Sequence, residues 1–394
     1  MKRFAVFLAG ITALLPGASL LPPALAAQPA TLAGTTAPVP ADIPVALLVD
    51  LSSHQILYAR EAGRRFMPAS VTKIMTAYSA FKLIGEGKLS QTSRVLISKQ
   101  LEEEWSGEGS SMFLLAGEQP TVSELIFGST TVSGNDATVA LGIAATGSVP
   151  NWTALMNRNA AELGMNESHF YSPNGYPDQG RTFTTAHDLA LLGEAVVTRY
   201  PQFYERYFGN HGFKWRNIVQ SNHDPITGRV EGADGMKTGY TNEAGFTFVG
   251  SAERDGRRLI MVLAGSPSSA LRNKAAIDFI EWGFDRFGSR PLFTKGTLVG
   301  EAQVQDGMAD TVLLRAPADI AATIPEGGRS EDVQLSIRYR GPIAAPIAKG
   351  EPVAQLRITM PGFEPVDVPL EAADAVGKAN PWYRLVNGLY GLFA

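Results

Sequence analysis

The residues in this chain best suited to covalent chemistry are a serine with a lysine three positions on, a serine–amide pair, and a second lysine. Ser70-Val71-Thr72-Lys73 is an S-x-x-K. Side chains three apart share a helix face, so the Lys73 amine can stand beside the Ser70 hydroxyl. Ser70 comes just after Pro68, where a helix is expected to start, and the free N–H groups and dipole there favour developing negative charge. A hydroxyl is a poor nucleophile at neutral pH and needs an adjacent base. The pattern alone is weak, since Ser79-Ala80-Phe81-Lys82 also matches and Ser70 reads equally as an N-cap serine. Ser79 falls mid-helix, where its neighbours would cover it. Ser70 is therefore the candidate nucleophile.

Ser133-Gly134-Asn135 sets a hydroxyl and an amide two residues apart, ahead of an Ala-rich helix, although Ser172-Pro173-Asn174 has the same form. Lys237-Thr238-Gly239 is the sole K-[ST]-G in the chain. It follows Ala233-Asp234-Gly235 and precedes a strand, so a cation and a hydroxyl would project from a sheet edge; alone, it reads more simply as a loop lysine. No histidine is placed as the base: His54, His169, His187, His211 and His223 are scattered and complete no triad signature. Cysteine is absent, which excludes disulfides, thiol nucleophiles and thiolate metal sites together.

The elements that must position these groups follow from periodicity. Val45–Asp50 and Gln55–Ala59 form short β-like runs around Ser52-Ser53-His54, a hairpin pattern. Val71, Ile74, Met75, Tyr78 and Phe81 recur at three and four residues, giving a helix that ends near Gly85. Helical segments follow at 122–127, 137–145, 152–163 and 186–198. Strands are expected at 245–252 and 259–265, around the turn Arg254-Asp255-Gly256, and a helix at 271–287. Strands flanking a block of helices indicate an α+β unit, an antiparallel sheet carrying a helical cluster. Beyond residue 290, alternating runs separated by Gly, Pro and Asp turns mark a small all-β domain with no catalytic cluster.

The two ends differ from the rest. Lys2 and Arg3, an apolar run to Leu21 and Ala24-Leu25-Ala26 make a signal peptide, with cleavage expected after Ala26 or Ala27. In the last stretch Trp382, Leu385, Val386, Leu389, Tyr390 and Phe393 fall on one helix face. That stretch is too short to span a bilayer and is suited to lie in its interface, or else to dock on the β domain. The expected organisation is 1–26 signal peptide, 27–43 linker, 44–289 catalytic domain, 290–373 all-β domain and 374–394 amphipathic membrane-associating tail. The chain is 45% hydrophobic and 18% charged, which allows a sizeable core, and its net charge of −4 speaks against a nucleic-acid partner.

Each triplet is weak, but S-x-x-K, S-x-N and K-T-G occur here in one order, the signature of penicillin-recognising serine enzymes. The chain resembles the serine-type D-alanyl-D-alanine carboxypeptidases, low-molecular-mass penicillin-binding proteins with a β-lactamase-like fold. The likeness extends over Pro68-Ala69-Ser70-Val71-Thr72-Lys73-Ile74-Met75-Thr76, Ser133-Gly134-Asn135-Asp136-Ala137 and Asp234-Gly235-Met236-Lys237-Thr238-Gly239-Tyr240-Thr241. It implies removal of the terminal D-alanine from peptidoglycan pentapeptide stems, covalent inhibition by β-lactams, no metal and no cofactor. Lys73 would be the general base. At an ordinary pKa of ~10.4 only about one lysine in a thousand is neutral at pH 7, so burial and the second cation Lys237 must lower it. Ser133 would pass the proton to the leaving amine. The resemblance further implies that Asn135 binds the substrate backbone and that the N–H groups of Ser70 and Tyr240 form the oxyanion hole. It gives Lys237, Thr238 and Arg272 the terminal carboxylate, with Gly239 in the same substrate-binding strand. The sequence departs from the family pattern at Asn174 and Tyr240, where a histidine is frequent, and upstream of K-T-G, where His223 is the nearest match to an expected arginine. A β-lactamase would need a deacylating carboxylate, for which Glu162, Glu167 and Asp178 are the nearby candidates. The same scaffold could also serve an endopeptidase or a non-catalytic wall-binding protein.

Overall fold

The structure, a computed structural model, describes residues 36–380; the expected signal peptide and most of the expected tail lie outside the described residues. The described residues fall into two units, 36–51 with Ile56–Arg286, and Ser52–Gln55 with 287–380.

In the larger unit, β1 (Val45–Asp50) and β2 (Gln55–Arg60) make the expected hairpin. A 3-10 turn (Ala69–Thr72) leads into α1 (Lys73–Gly85), followed by α2 (Lys99–Trp105), α3 (Val122–Thr130), α4 (Asn135–Thr146), α5 (Val149–Glu162), α6 (Ala186–Arg199) and α7 (Pro201–Tyr207). The hairpin β3 (Gly212–Trp215) and β4 (Ile218–Ser221) precedes β5 (Ala233–Thr241), β6 (Gly245–Arg254) and β7 (Arg257–Ser266), and α8 (Ser269–Asp285) closes the unit. The sheet order is β2-β1-β7-β6-β5, with β5 at an edge. The neighbours of β7, β1 and β6, pair with it antiparallel. Consecutive strand residues point to opposite faces. Gly283 of α8 packs on Leu259 while Gly193 of α6 packs on Ile260, so these two helices cover opposite faces of the sheet.

The apolar period of residues 71–81 marked one face of a helix, yet every residue from Lys73 to Phe81 is buried. Helices α3, α4, α5 and α6 surround α1, so its small residues Ala77 and Ala80 are enclosed as fully as Tyr78 and Phe81. Several elements escaped the periodicity. α2 and α7 are two-turn helices, and β3–β4 is a short hairpin of alternating exposure. The K-T-G residues lie within strand β5 rather than ahead of a strand.

The smaller unit is all-β, as its alternating runs indicate. It holds β8 (Phe287–Phe293), β9 (Leu298–Gln305), β10 (Thr311–Arg315), β11 (Ile320–Pro325), β12 (Gln334–Arg338), β13 (Ile343–Ala344), β14 (Pro352–Thr359) and β15 (Val366–Ala372). Six strands in the order β12-β14-β15-β10-β9-β13 form one sheet, and β11-β8 form another. Leu314, Ile320, Leu356 and Leu370 are among its buried core. β8 and β11 were not expected, since one carries an internal proline and the other is rich in alanine. Residues 374–380, read from sequence as the start of the tail, are extended and bridge this unit, Val376 to Ile347 and Lys378 to Gly307.

Phe81 sits in an aromatic cluster, its ring centroid 5.1 Å from Phe203 and 5.7 Å from Tyr207. Removing a fully buried aromatic ring loses both its transfer energy and the packing around the cavity, so Phe81→Ala should destabilise the larger unit by about 3–5 kcal/mol. Urea unfolding monitored by near-UV circular dichroism would detect this as a lower midpoint for that unit.

Candidate active site

Ser70 stands in the 3-10 turn, directly after Ala69, whose φ of 50° lies in a region that non-glycine residues seldom adopt. Strain of this kind persists only where its surroundings impose it, and it is frequent where side chains must be aimed. The surroundings here are backbone. A Cβ on Gly175, whose own φ is 72°, would lie 1.8 Å from the Ala69 carbonyl oxygen, so only glycine fits. A Cβ on Gly239 of β5 would lie 2.7 Å from the Pro68 oxygen and 3.2 Å from the Ser70 nitrogen. The edge strand therefore approaches the serine turn as closely as a backbone without side chain permits.

Lys73, the first residue of α1, is wholly buried. Its Nζ lies 2.8 Å from Ser70 Oγ, 2.9 Å from Asn135 Oδ1 and 2.9 Å from the backbone oxygen of Asn174. Asn135 is oriented by its own Nδ2, which donates to the Glu108 carbonyl at 3.0 Å. Two of the three partners are thus pure acceptors and take N–H bonds from Lys73. The third position on nitrogen faces Ser70. When Lys73 is a neutral amine, that position is a lone pair and the Ser70 hydroxyl donates to it. The second S-x-x-K serine is spent elsewhere: Ser79 is buried and accepts from Asn159 Nδ2 at 2.9 Å.

Burial drives the Lys73 pKa well below the ordinary lysine value, and the Lys237 cation pushes it the same way against the opposing pull of Asp136. Lys237, 3% exposed, is lowered to about 7, by burial first and then by Arg272, with Asp224 opposing. Burial brings Arg272 down to about 10. Arg272 is buried, and its Nη1 donates to the Thr247 carbonyl at 3.0 Å and its Nε to Asn273 Oδ1 at 2.7 Å. Thr247 pairs with Gly239, which sets the guanidinium behind the K-T-G strand. His223 joins this cationic group, its pKa lowered by burial and then by Lys237 and Arg272.

The remaining residues expected from sequence fall around this centre. Ser133, with a φ of 62°, has a buried Oγ that finds no hydrogen-bond partner among the described residues. Thr238 offers its carbonyl to Lys237 Nζ at 2.9 Å. Tyr240 ends the K-T-G-Y run with an exposed ring. The three carboxylates weighed for a β-lactamase are engaged elsewhere: Glu162 pairs with Lys82, Glu167 with Arg65, and Asp178 accepts from Thr182. Three contributors were not singled out from sequence. The Asn174 carbonyl acts through backbone and leaves no side-chain signal. The Glu108 carbonyl is equally silent. Asp136, fully buried, accepts from Ser111 Oγ and from the N–H groups of Met112 and Leu114, tying that loop to α4. Its signal was its place directly after Asn135.

A serine hydroxyl facing a buried, deprotonatable lysine beneath a cationic edge strand is the equipment of an active-serine acyl-transferase that uses no histidine. Comparison with known proteins carries this further. Residues 34–268 match the profile of the peptidase S11 family, D-alanyl-D-alanine carboxypeptidase, and residues 287–378 match that of the penicillin-binding protein 5 C-terminal domain. The chain is 32% identical over 357 residues to the D-alanyl-D-alanine carboxypeptidase DacA of Haemophilus influenzae, covering 88% of this chain and 90% of that protein. It is 29% identical over 340 residues to DacF of Bacillus subtilis, covering 85% and 86%. Penicillin-binding protein 5 of Haemophilus influenzae superposes with a TM-score of 0.77 at 30% identity, over 88% of this chain and all of that one. Penicillin-binding protein D2 of Listeria monocytogenes, solved in its ampicillin-bound form, matches with a TM-score of 0.56 at 26% identity, over 62% of this chain and 98% of that one. The chain belongs to the D-alanyl-D-alanine carboxypeptidase family of low-molecular-mass penicillin-binding proteins. It is a serine-type D-Ala-D-Ala carboxypeptidase, a hydrolase.

The electrostatic arrangement fixes signs. Lys237→Met removes a cation that opposes the Lys73 ammonium and should raise the Lys73 pKa, while Asp136→Asn should lower it further; a 13Cε shift titration of Lys73 would read both. The same reasoning governs stability. An unfolded lysine keeps its proton up to pH ~10.4, whereas folded Lys237 gives it up near 7. The unfolded state therefore binds more protons in that window, and stability should rise with pH across it. Lys237→Met should flatten that rise, visible in urea midpoints measured from pH 6 to 10.

Proposed function

We propose that Ser70 is the nucleophile that takes the penultimate D-alanine of a peptidoglycan pentapeptide stem into an acyl-enzyme, with neutral Lys73 as its base. The observation that carries the reading is the three-way coordination of Lys73 Nζ, two fixed acceptors and the Ser70 oxygen. Ser70 O–H gives its proton to Lys73 as Oγ attacks the carbonyl carbon. The oxyanion lies between the N–H groups of Ser70 and Tyr240, a stabilisation typically worth ~3–4 kcal/mol per donor. The close approach of Gly239 to the serine turn supports this pairing of donors from two elements. Ser133 passes the proton to the departing D-alanine amine, and its unpartnered hydroxyl suits that task. Water then hydrolyses the ester: Lys73 takes a proton from the attacking water and returns it to the departing Ser70 Oγ, which restores the hydroxyl and the neutral amine.

The terminal carboxylate is bound by Lys237, Thr238 and Arg272. Arg272 Nη2 is left without a partner among the described residues and is free for a substrate oxygen. A site that concentrates cations at the end of the substrate strand favours a free C-terminus, hence exo rather than endo cleavage. Asn135, already spanning Lys73 and Glu108, keeps one N–H for the substrate backbone. The strained four-membered amide of a β-lactam with its neighbouring carboxylate fits the same groups and would acylate Ser70.

For location, we propose export through the N-terminal leader and attachment to the outer face of the inner membrane by the apolar face of residues 382–393. Among the described residues no helix is long and apolar enough to cross a membrane.

The test is intact mass after exposure to benzylpenicillin. Wild type should gain one penicilloyl group and Ser70→Ala none, while Lys73→Ala should acylate about 10²–10⁴-fold more slowly. An adduct on Ser70→Ala would overturn the assignment.

A further inference from the structure

Lys73 Nζ takes its two fixed acceptors from different segments, Asn135 Oδ1 from the start of α4 and the Asn174 backbone oxygen from the turn after Pro173. A side-chain pair that the mechanism above does not use joins the surroundings of one acceptor to those of the other. Tyr176 O–H donates to Glu108 Oε1 at 2.5 Å, across 68 positions of chain. On one side, the Tyr176 N–H donates to Asn174 Oδ1 at 3.1 Å. On the other, the Glu108 carbonyl accepts from Asn135 Nδ2 at 3.0 Å. Lys73, Asn135, Glu108, Tyr176 and Asn174 therefore close a ring of hydrogen bonds, and the Tyr176–Glu108 bond is its outermost link.

The two segments differ in how else they are held. Around Glu108 the chain is fastened to α4: the Gly107 N–H donates to Ser111 Oγ at 3.0 Å, Ser111 Oγ donates to Asp136, and the Asn135 N–H donates to the Ser110 carbonyl at 2.7 Å. The turn before Tyr176 is anchored at its start, where Thr76 Oγ1 of α1 donates to the Pro173 carbonyl at 2.7 Å. Its far end is reached by Tyr176. Trp105, the last residue of α2, meets the Tyr176 ring edge to face, centroids 5.5 Å apart and planes at 88°. Trp105 thus sets the ring and Glu108 sets the hydroxyl. The Glu108 carboxylate raises the pKa of the Tyr176 phenol, so the donor keeps its proton through the neutral range.

We infer that Tyr176 and Glu108 are positioning residues for acylation: their bond clamps both acceptor-bearing segments onto Lys73, so that its amine stays aimed at Ser70 and closed to water. The inference rests on the reading of Ser70 as nucleophile and Lys73 as base. The same clamp bears on the serine turn, because Gly175, next to Tyr176, presses on the Ala69 carbonyl. With the clamp released, water can replace the protein oxygens around Nζ. Burial is the first cause of the lowered Lys73 pKa, so admitting water raises it. The charged groups that face Lys73, Lys237 from β5 and Asp136 from α4, are left in place by the variants below.

The experiment is the second-order rate of acylation by benzylpenicillin, followed by intact mass at pH 7 and pH 9. Tyr176→Phe keeps the ring on Trp105 and removes only the hydroxyl. It should acylate about three- to tenfold more slowly at pH 7, the worth of one partly exposed, charge-assisted hydrogen bond. Glu108→Ala should match it, and Glu108→Gln, which keeps an acceptor oxygen, should fall less. The two residues act through one bond, so Tyr176→Phe combined with Glu108→Ala should be no slower than either alone. A released lysine holds its proton to higher pH, so the deficit relative to wild type should shrink at pH 9. Lys237 also titrates in this range, in wild type and variants alike, so the ratio at each pH is the quantity read. A 13Cε titration of Lys73 in Tyr176→Phe should show the raised pKa directly. Acylation of Tyr176→Phe at the wild-type rate, additive losses in the double variant, or a deficit equal at both pH values with a lowered urea midpoint overturns the inference. If wild type acylates at Ser70 and the variants show none of these effects, the clamp alone fails; if wild type gains no adduct, the nucleophile assignment fails and the clamp with it.

Discussion

Two lysine side chains and an arginine buried in one cleft are the constraint on which the larger unit depends. Desolvation disfavours each charge, and their mutual repulsion adds to it. The fold accommodates them by supplying oxygens rather than neutralising carboxylates. Lys73 meets an amide oxygen and a backbone oxygen, Lys237 a backbone oxygen, and Arg272 a backbone oxygen and an amide oxygen. Neutral acceptors hold an amine in place whether or not it carries a proton, whereas a carboxylate partner would fix the proton on it. The carboxylates that do act on the cluster, Asp136 and Asp224, are tied into loop hydrogen bonds of their own. They moderate the shift without pairing. A lysine held this way is available as a base at neutral pH, and the arrangement costs stability that the enclosed helix α1 and the sheet must offset.

The second requirement is closeness of backbones. The serine turn is pressed between β5 on one side and the Ser172–Gly175 turn on the other, and each approach is made through a glycine at which a Cβ would collide. The Ala69 dihedral strain is the local counterpart of that compression. Preorganisation of this kind makes the geometry available before substrate arrives, so no rearrangement energy is charged to the chemical step.

Much of this could be read from the sequence, for reasons specific to each group. Ser70, Lys73, Ser133, Asn135, Lys237 and Thr238 announce themselves as side chains of chemical type at short spacing, and the order of the three triplets joined them before any coordinates. The hairpin of β1 and β2, helices α1, α3 to α6 and α8, and the alternation of the C-terminal strands all followed from apolar period. What periodicity could not yield were the groups that act through backbone, such as the carbonyls of Asn174 and Glu108, because any residue type supplies them. It also missed α2 and α7, too short to show a period, and β11, whose alanines carry little contrast between faces. The burial of Arg272 was likewise hidden, since an arginine three residues into a helix looks the same in sequence whether it faces water or a strand.

The position of β5 links these points. A sheet edge with unpaired N–H and C=O groups is ordinarily a liability that proteins cover or charge. Here the edge is narrowed by the serine turn and charged by Lys237, and in the proposed reading it takes one further strand, that of the substrate. An edge pairs with a peptide running in either direction, so backbone hydrogen bonds alone would not decide which end of a stem reaches Ser70. In the proposed reading the decision comes from charge. At one end, cations gathered at Lys237 and Arg272 accept a C-terminal carboxylate. A peptide entering backwards would set an uncharged chain against two buried cations. The polarity of the edge, more than the reactivity of the serine, then determines that a terminal residue is the one released.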